Sequence, residues 1–406
     1  MVHRLPTELR REIFFQATYV PHLLDTKWDY DPDERIWEGW RFEKDTENTT
    51  KCAIVQVCWE WRTVGMEFLY QTIQIPNYAD QSRYNQLHSL AEALSPLPKP
   101  SRQSDVTDIS PFRSSSRGYG WWTKRLDCPR DILRYDNYRY FASILDQCPN
   151  LSILTITQGS IFGDGVSNGF GVIQSRLYHS LRRLDFKVRD DNFSLLNFTS
   201  IPLYSLEITF TGSIIEVPHS CSFATISSLT LYFTSALDNC DESFYLPNLR
   251  HLALRKVRDD DFIALNRLVS RHSQTLFSLY LQTLYTCESL PELLHLPLHL
   301  RSLAFDDGDL LNLDSTYPGI THLGIFPESG SLEQYARGIT RMLDDKIFPH
   351  LTVLRMLRLD NVPFQIKWAN VIERCASAGV RLQNSRGHLL SYSEPEIPVS
   401  QILVFY

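Results

Sequence analysis

The hexapeptide Leu249-Arg250-His251-Leu252-Ala253-Leu254 decides the fold because it is not alone. The same order of leucine, two residues, leucine, one residue and a third apolar residue recurs along the chain. It stands at 151–156, 181–186, 203–208 and 226–231, and again at 276–281, 300–305, 320–325 and 351–356, with isoleucine in the first place twice. The second leucines are Leu154, Leu184, Leu206, Leu229, Leu252, Leu279, Leu303, Leu323 and Leu354, at intervals of 30, 22, 23, 23, 27, 24, 20 and 31 residues. Apolar residues two apart point to one face of a strand. One such strand cannot bury its own apolar face, so each must stack on its neighbours.

Most of these intervals match the leucine-rich-repeat period of about 20–29 residues. From Leu151 onward the chain resembles that family. The resemblance implies an irregular leucine-rich-repeat solenoid, a horseshoe whose strands line a concave parallel sheet. Helices or turns are expected between the strands, such as a helix over Asp261–Arg271 with Phe262, Leu265, Leu268 and Val269. The asparagine expected five residues after the second leucine is replaced by Arg189, Thr211, Thr234, Val257 and Leu284. The backbone groups of those turns therefore need other partners. The last unit can also be framed as Leu354-Arg355-Met356-Leu357-Arg358-Leu359, and both frames stay open. Residues between the inward leucines are expected on the concave side. Arg183, Lys187, Tyr232, His251, Arg255 and Tyr280 are the candidates there for holding a target protein, since Tyr and Arg are enriched at binding hot spots. Mixed polar residues are also what any solvated sheet face carries.

Before the repeats, two helical segments open the chain. The first contains Arg4-Leu5-Pro6-Thr7-Glu8-Leu9 and runs on through Ile13-Phe14. Pro6 suits a first helical turn, where its missing N–H costs nothing. Glu8 complements the positive end of the helix dipole. Leu9, Ile13 and Ala17 follow at spacings of four and form a stripe. The second segment is read as one helix from Ala53 through Val57-Cys58-Trp59-Glu60-Trp61-Arg62 to Tyr70, with Val57, Trp61, Val64 and Phe68 on one side. Apolar residues at helical spacing line cores more often than interfaces. Leu5 and Pro6 fall outside the stripe and suit a partner's groove.

Leu-Pro-x-Glu, Ile-Phe, Val-Cys-x-x-Trp-Arg and Leu-Tyr, in that order, resemble an F-box of the type common in mushroom-forming fungi. The resemblance implies an α/β chain with a small helical F-box at 1–76, a helix and flexible linker at 77–120 and a repeat domain at 121–406. It further implies the substrate-recognition subunit of a cullin-RING ubiquitin ligase of the SCF type. Leu5, Pro6, Glu8, Leu9, Ile13, Val57, Cys58 and Trp61 match the motif and would bind a Skp-type adaptor, and through it a cullin scaffold. The repeats would bind an unknown protein substrate. The chain would then be no enzyme: it would act by tethering a target near another protein's active site. The alternative is a leucine-rich-repeat scaffold that no ligase engages. The stretch from Asp25 to Glu47 is longer than the usual F-box connection, with nine acids, four bases, Trp28, Trp37 and Trp40. Its acids read as a solvated loop.

Composition narrows the remaining classes. The chain has 406 residues, 43% of them hydrophobic, and a net charge of −7. That balance argues against bulk attraction to nucleic acid or a membrane surface. None of the eight cysteines forms Cys-x-x-Cys or pairs with histidine at zinc spacing, so no metal or cofactor is expected. Met1-Val2-His3-Arg4 offers no apolar leader and no run of about 18 apolar residues occurs, so a cytoplasmic or nuclear location is expected. The glycines of 163–171 lack the lysine and spacing of a phosphate loop and read as an inter-repeat loop. Asp259–Asp261 and Asp306–Asp309 lack the final glutamate of a calcium loop. A helix is expected at Ser82–Leu94, a strand at Trp121–Leu126 and a helix at Tyr135–Cys148.

Overall fold

Every hexapeptide of the repeat supplies a strand, and the strands pair in parallel in chain order within each of two compact units. The structure is a computed structural model. It describes residues 5–20, 23–24, 26, 40–75, 82–96, 118–129, 138–157, 166–177, 179–188, 200–210, 223–232, 245–258, 262–283, 290–295, 297, 299–306, 313, 315–326, 332–357, 361–362, 366–384 and 387–392.

The first unit comprises described residues up to Asn248. Its elements are α1 (Thr7–Thr18), α2 (Trp40–Val57), α3 (Trp59–Leu69), β1 (Thr72–Gln74), α4 (Ser82–Leu94) and β2 (Arg125–Pro129). There follow α5 (Tyr138–Gln147), β3 (Ile153–Thr157), α6 (Val166–Leu177), β4 (Arg183–Val188), β5 (Ser205–Phe210) and β6 (Ser228–Tyr232). Its sheet runs β1 to β6 in order. Leu126, Leu154, Leu184, Leu206 and Leu229 are register partners from strand to strand and are all buried.

The second unit runs from Leu249. It contains β7 (His251–Val257), α7 (Phe262–Arg271), β8 (Ser278–Thr283), α8 (Leu290–Leu294), β9 (Ser302–Asp306) and β10 (His322–Phe326). It continues with α9 (Leu332–Asp344), β11 (Val353–Met356), β12 (Asn361–Val362), α10 (Ile366–Ser377), β13 (Arg381–Gln383) and β14 (Ser391–Tyr392). Leu252, Leu279, Leu303, Leu323, Leu354 and Leu382 form its leucine column. Leu354 pairs with Leu323, which settles the frame of the last hexapeptide on Leu351-Leu354-Met356. β12 and β14 pair separately, also in parallel.

Backbone polar groups at the strand entries find partners across the rungs. The residue after the first leucine and the one following it both donate their N–H to the equivalent carbonyl of the preceding rung. Thus Ser152 and Ile153 N–H reach Lys124 O at 2.9 Å each, and Thr321 and His322 N–H reach Arg301 O at 2.8 and 3.0 Å. Hydroxyls add a third bond to the same acceptors. Ser152 Oγ donates to Lys124 O, Ser227 Oγ to Tyr204 O, Thr321 Oγ1 to Arg301 O and Thr352 Oγ1 to Thr321 O. These bonds satisfy main-chain groups that burial would otherwise leave costly. Of the five positions where asparagine is absent, Val257 is described and buried, and the other four lie outside the described residues.

The helical end differs from its expectation in two ways. The single helix through Val57–Cys58 is two helices, because Cys58 is extended (φ −162°, ψ 173°) and begins α3. The acidic stretch is helical in its last part, since α2 starts at Trp40, while 27–39 lie outside the described residues. Phe14, Ile54, Val64 and Phe68 form the core of this end, with half-buried Trp61 against them. Gly65 permits the close approach of α2 and α3: a Cβ there would stand 2.9 Å from Val55 Cγ1.

These helices continue directly into the sheet. β1 follows α3 after two residues and pairs with β2, placing Ile73 beside Leu126. Arg125 Nη1 donates to the carbonyl of Leu23, 3.0 Å away, and so ties the chain after α1 to β2. The expected strand at Trp121–Leu126 is a 3-10 turn over Tyr119–Trp122, with β2 beginning at Arg125. Gly120 makes that turn possible, since a Cβ there would collide with the Gln147 carbonyl. Tyr119 stacks on Tyr70 at 4.7 Å between centroids. Of the 163–171 loop, residues 166–171 belong to α6 and 163–165 lie outside the described residues. The helices expected near 82–94, 135–148 and 261–271 are α4, α5 and α7. Asp259–Asp261 and Asp307–Asp309 are outside the described residues.

Candidate functional site

α1 presents most of its apolar residues outward. Leu5 is 49% exposed, Leu9 52% and Ile13 48%. Pro6 and Glu8 are exposed beside them. At one residue per 100°, Phe14 and Thr18 take the opposite, buried side. The sequence stripe of Leu9, Ile13 and Ala17 is thus the outer edge of α1, and Phe14 is its inward anchor. On the other two helices Val57 and Cys58 are exposed, Trp61 is half-buried and in contact with Phe14, and Val64 and Phe68 are buried. The motif residues Leu5, Pro6, Glu8, Leu9, Ile13, Val57 and Cys58 therefore all reach the surface.

Three further residues were not singled out in the sequence. Phe15 and Tyr19 are exposed on α1, with rings 5.3 Å apart, and Trp59 is exposed at the start of α3. Twelve large hydrophobic residues are exposed among the described residues, and seven of them fall within 5–59. The remaining five, Trp121, Tyr245, Ile263, Phe277 and Leu389, are spread over the rest of the chain. Scattered single exposures are ordinary, and the exposed large hydrophobics of the described residues are concentrated at this end of the sequence.

The sheet face opposite the leucines departs from its expectation as a freely presented recognition surface. In the first unit it carries ion pairs. Arg125 Nε lies 3.0 Å from Asp127 Oδ1, and Arg183 Nη2 lies 2.7 Å from Asp185 Oδ2. All four residues are buried. Residues two apart on a strand share a face, so Arg-x-Asp is a pairing pattern. Arg125 Nη2 also lies 3.5 Å from Thr155 Oγ1 on the next rung. Arg125-Leu126-Asp127 and Arg183-Leu184-Asp185 repeat one tripeptide, which was the signal available in the sequence.

In the second unit the same face carries an apolar cluster of Tyr280, Ala304, Phe326 and Leu357, with Ala253 packed on it. Tyr280 is only 1% exposed and its ring lies 5.2 Å from that of Phe326. Arg255 is half-buried, with its guanidinium 5.9 Å from the Tyr280 ring centroid. His251 is buried and meets Phe277 edge-on. Of the six residues offered for target binding, Arg183, His251 and Tyr280 are therefore buried, a correction to their expected exposure. Each is drawn inward by a specific neighbour: a carboxylate, a phenyl ring and an apolar cluster. Tyr232 and Arg255 are half-buried, and the side chain of Lys187 lies outside the described residues.

Cys128, Cys148 and Cys375 are buried free thiols, while Cys52 and Cys58 are exposed free thiols. Burial pushes the Cys148 and Cys375 thiols up to about 12, and the neighbouring Thr123 side chain partly opposes the shift at Cys148. Burial also raises the Tyr70 phenol, followed by the neighbouring Tyr119, against the lowering influence of Arg62. Among the described residues no group of three or more His, Cys, Asp and Glu is placed to hold a metal ion. No described helix is long and apolar enough to cross a membrane. Protein-family models and curated proteins, compared with this chain, give no match.

Proposed function

We propose that the chain is a substrate receptor of a cullin-RING ubiquitin ligase. Its N-terminal helices dock a Skp-type adaptor, and its repeat ladder holds a target protein. The observation that carries this reading is the gathering of exposed apolar residues on α1 and at the α2–α3 junction. Leu9 and Ile13 are aliphatic anchors at helical spacing on α1, the form in which a helix enters a partner's groove, and Leu5 before α1 and Val57 at the end of α2 are exposed aliphatic residues as well. Catalysis would be proximity: the receptor supplies no bond-making group and raises the local concentration of a target lysine.

Replacing Leu5 and Pro6 together by alanine is expected to abolish capture of a recombinant Skp-type adaptor. Each fully buried aliphatic anchor contributes roughly 1.5–3 kcal/mol. The thermal transition of the chain should not move, because both residues are exposed in the free protein. Undiminished capture by the double variant counts against the reading.

A further inference from the structure

The geometry points to a docking row for an acidic protein segment, at the edge of the second unit where its strands begin. The row stands apart from the adaptor reading and does not depend on it. Arg250, Phe277 and Arg301 occupy one position in three consecutive hexapeptides, the residue after the first leucine. Main-chain bonds lock them into a row: Phe277 N–H donates to Arg250 O at 2.8 Å, and Arg301 N–H donates to Phe277 O at 2.9 Å. Parallel neighbours stand about 4.8 Å apart, which sets the two arginine backbones roughly 10 Å apart with the phenylalanine between them.

The row is exposed and its charge is of one sign. Arg250 and Arg301 are exposed, and Phe277 is 46% exposed with its ring edge-on to buried His251. Arg250 has no carboxylate partner among the described residues, and Arg301 Nη1 reaches the Gly319 carbonyl at 3.4 Å rather than an acid. No acidic residue stands at 249–251, 276–278, 300–302, 320–322 or 351–353, the entries to β7, β8, β9, β10 and β11. Asp344 and Asp345, the acids that precede β11 in the chain, are taken by Arg374 and Arg341. Two guanidiniums without acids beside them, flanking an aromatic ring, attract carboxylates and repel cationic partners. The net charge of −7 opposes the phosphates of a nucleic acid. The occupant is therefore a protein segment with acidic residues on either side of an apolar one.

The test is a fluorescence-anisotropy titration of the full chain against a labelled peptide of four Glu-Leu-Glu units at two salt concentrations. The parent is expected to bind saturably, and more weakly at the higher salt. Arg250→Glu with Arg301→Glu is expected to weaken binding at least about tenfold. Phe277→Ala is expected to weaken it about fivefold, because aromatic residues are enriched at interface cores. Arg337→Glu, a charge reversal at an exposed residue of α9, is the control and should bind as the parent does. Every variant is first required to melt at the parent's temperature, and the arginine and phenylalanine variants are read separately, so that one that misfolds leaves the other decisive. No saturable binding by the parent overturns the inference, as does parent-like affinity of the folded site variants. Equal binding of a Gln-Leu-Gln peptide also overturns it, since the row would then read apolar surface alone. Tighter binding of single-stranded oligothymidylate that the same variants abolish overturns it in favour of a nucleic acid. Failure of adaptor capture leaves the row untouched, and failure of the row leaves the adaptor reading untouched.

Discussion

In the repeat ladder leucine faces inward, and in and just before α1 it faces out. Leu252, Leu279 and Leu303 are buried, whereas Leu5 and Leu9 are about half exposed. Both regions are amphipathic, so hydrophobicity alone does not separate them. The difference lies in what each has to stack on. A strand of the ladder has a parallel neighbour that continues its leucine column, so its apolar face is completed within the chain. Of the apolar residues of α1 only Phe14 is buried, and its remaining apolar edges have no equivalent column within the described residues. The lesson is that the same residue type is buried by stacking in one region and left exposed in the other.

The comparison is broken most forcefully from the ladder side. Leu252→Asp places a charge at a position with 1% exposure and register partners in the leucine column. An unpaired buried carboxylate is too costly for a marginally stable fold. We expect this variant to be insoluble or to lose its cooperative melting transition. A soluble variant with the parent's melting curve contradicts the register. Leu206→Ala should be milder, removing about 2–5 kcal/mol of stability in denaturant titration through the cavity it leaves.

A smaller effect separates the thiols of the two regions. Cys148 and Cys375 are raised from 9.0 to about 12 in the folded chain. Their folded pKa exceeds the unfolded one, so the contribution to stability is complete below pH 9 and declines as pH rises from 9 to 12. Denaturant melts across that window should show the decline, and Cys148→Ser with Cys375→Ser should flatten it relative to its own stability at pH 8. Under native conditions at pH 8, an alkylating reagent should label Cys52 and Cys58 before Cys148 and Cys375. Equal labelling of Cys148 would contradict its burial.

The smallest expected stability change is at the helical edge. Leu9→Ala with Ile13→Ala should alter folding free energy by less than about 0.5 kcal/mol per site, as surface substitutions usually do. A loss comparable to Leu206→Ala would mean that these residues complete the fold rather than a partner.

The ladder was legible because strand periodicity and repeat spacing act together. A one-residue slip would turn Leu184 and Phe186 to the wrong face, so the hexapeptide fixes both strand and register. Rungs near both ends fall outside the hexapeptide pattern, which decays there, although a strand was expected over part of β2. β2 carries Thr123 in the first leucine place, and β13 carries Gly379 there and Asn384 in the last place. At the helical end the order of elements was legible, but the inward direction was not. Phe14 and Leu9 are both compatible with a helical core, and only packing against Ile54, Val64 and Phe68 chooses between them. The break at Cys58 was equally hidden, since neither Val57 nor Trp59 is a helix breaker. Burial of Arg183 and Tyr280 followed from neighbours on their own face, namely Asp185 two residues on and Phe326 two rungs away.

The most direct measurement is hydrogen exchange of the chain with and without a recombinant Skp-type adaptor. Our account predicts slowed exchange across residues 5–20 and 57–62, with the amides of β7 to β10 unchanged. Protection confined to the strands, or no protection anywhere, would contradict it.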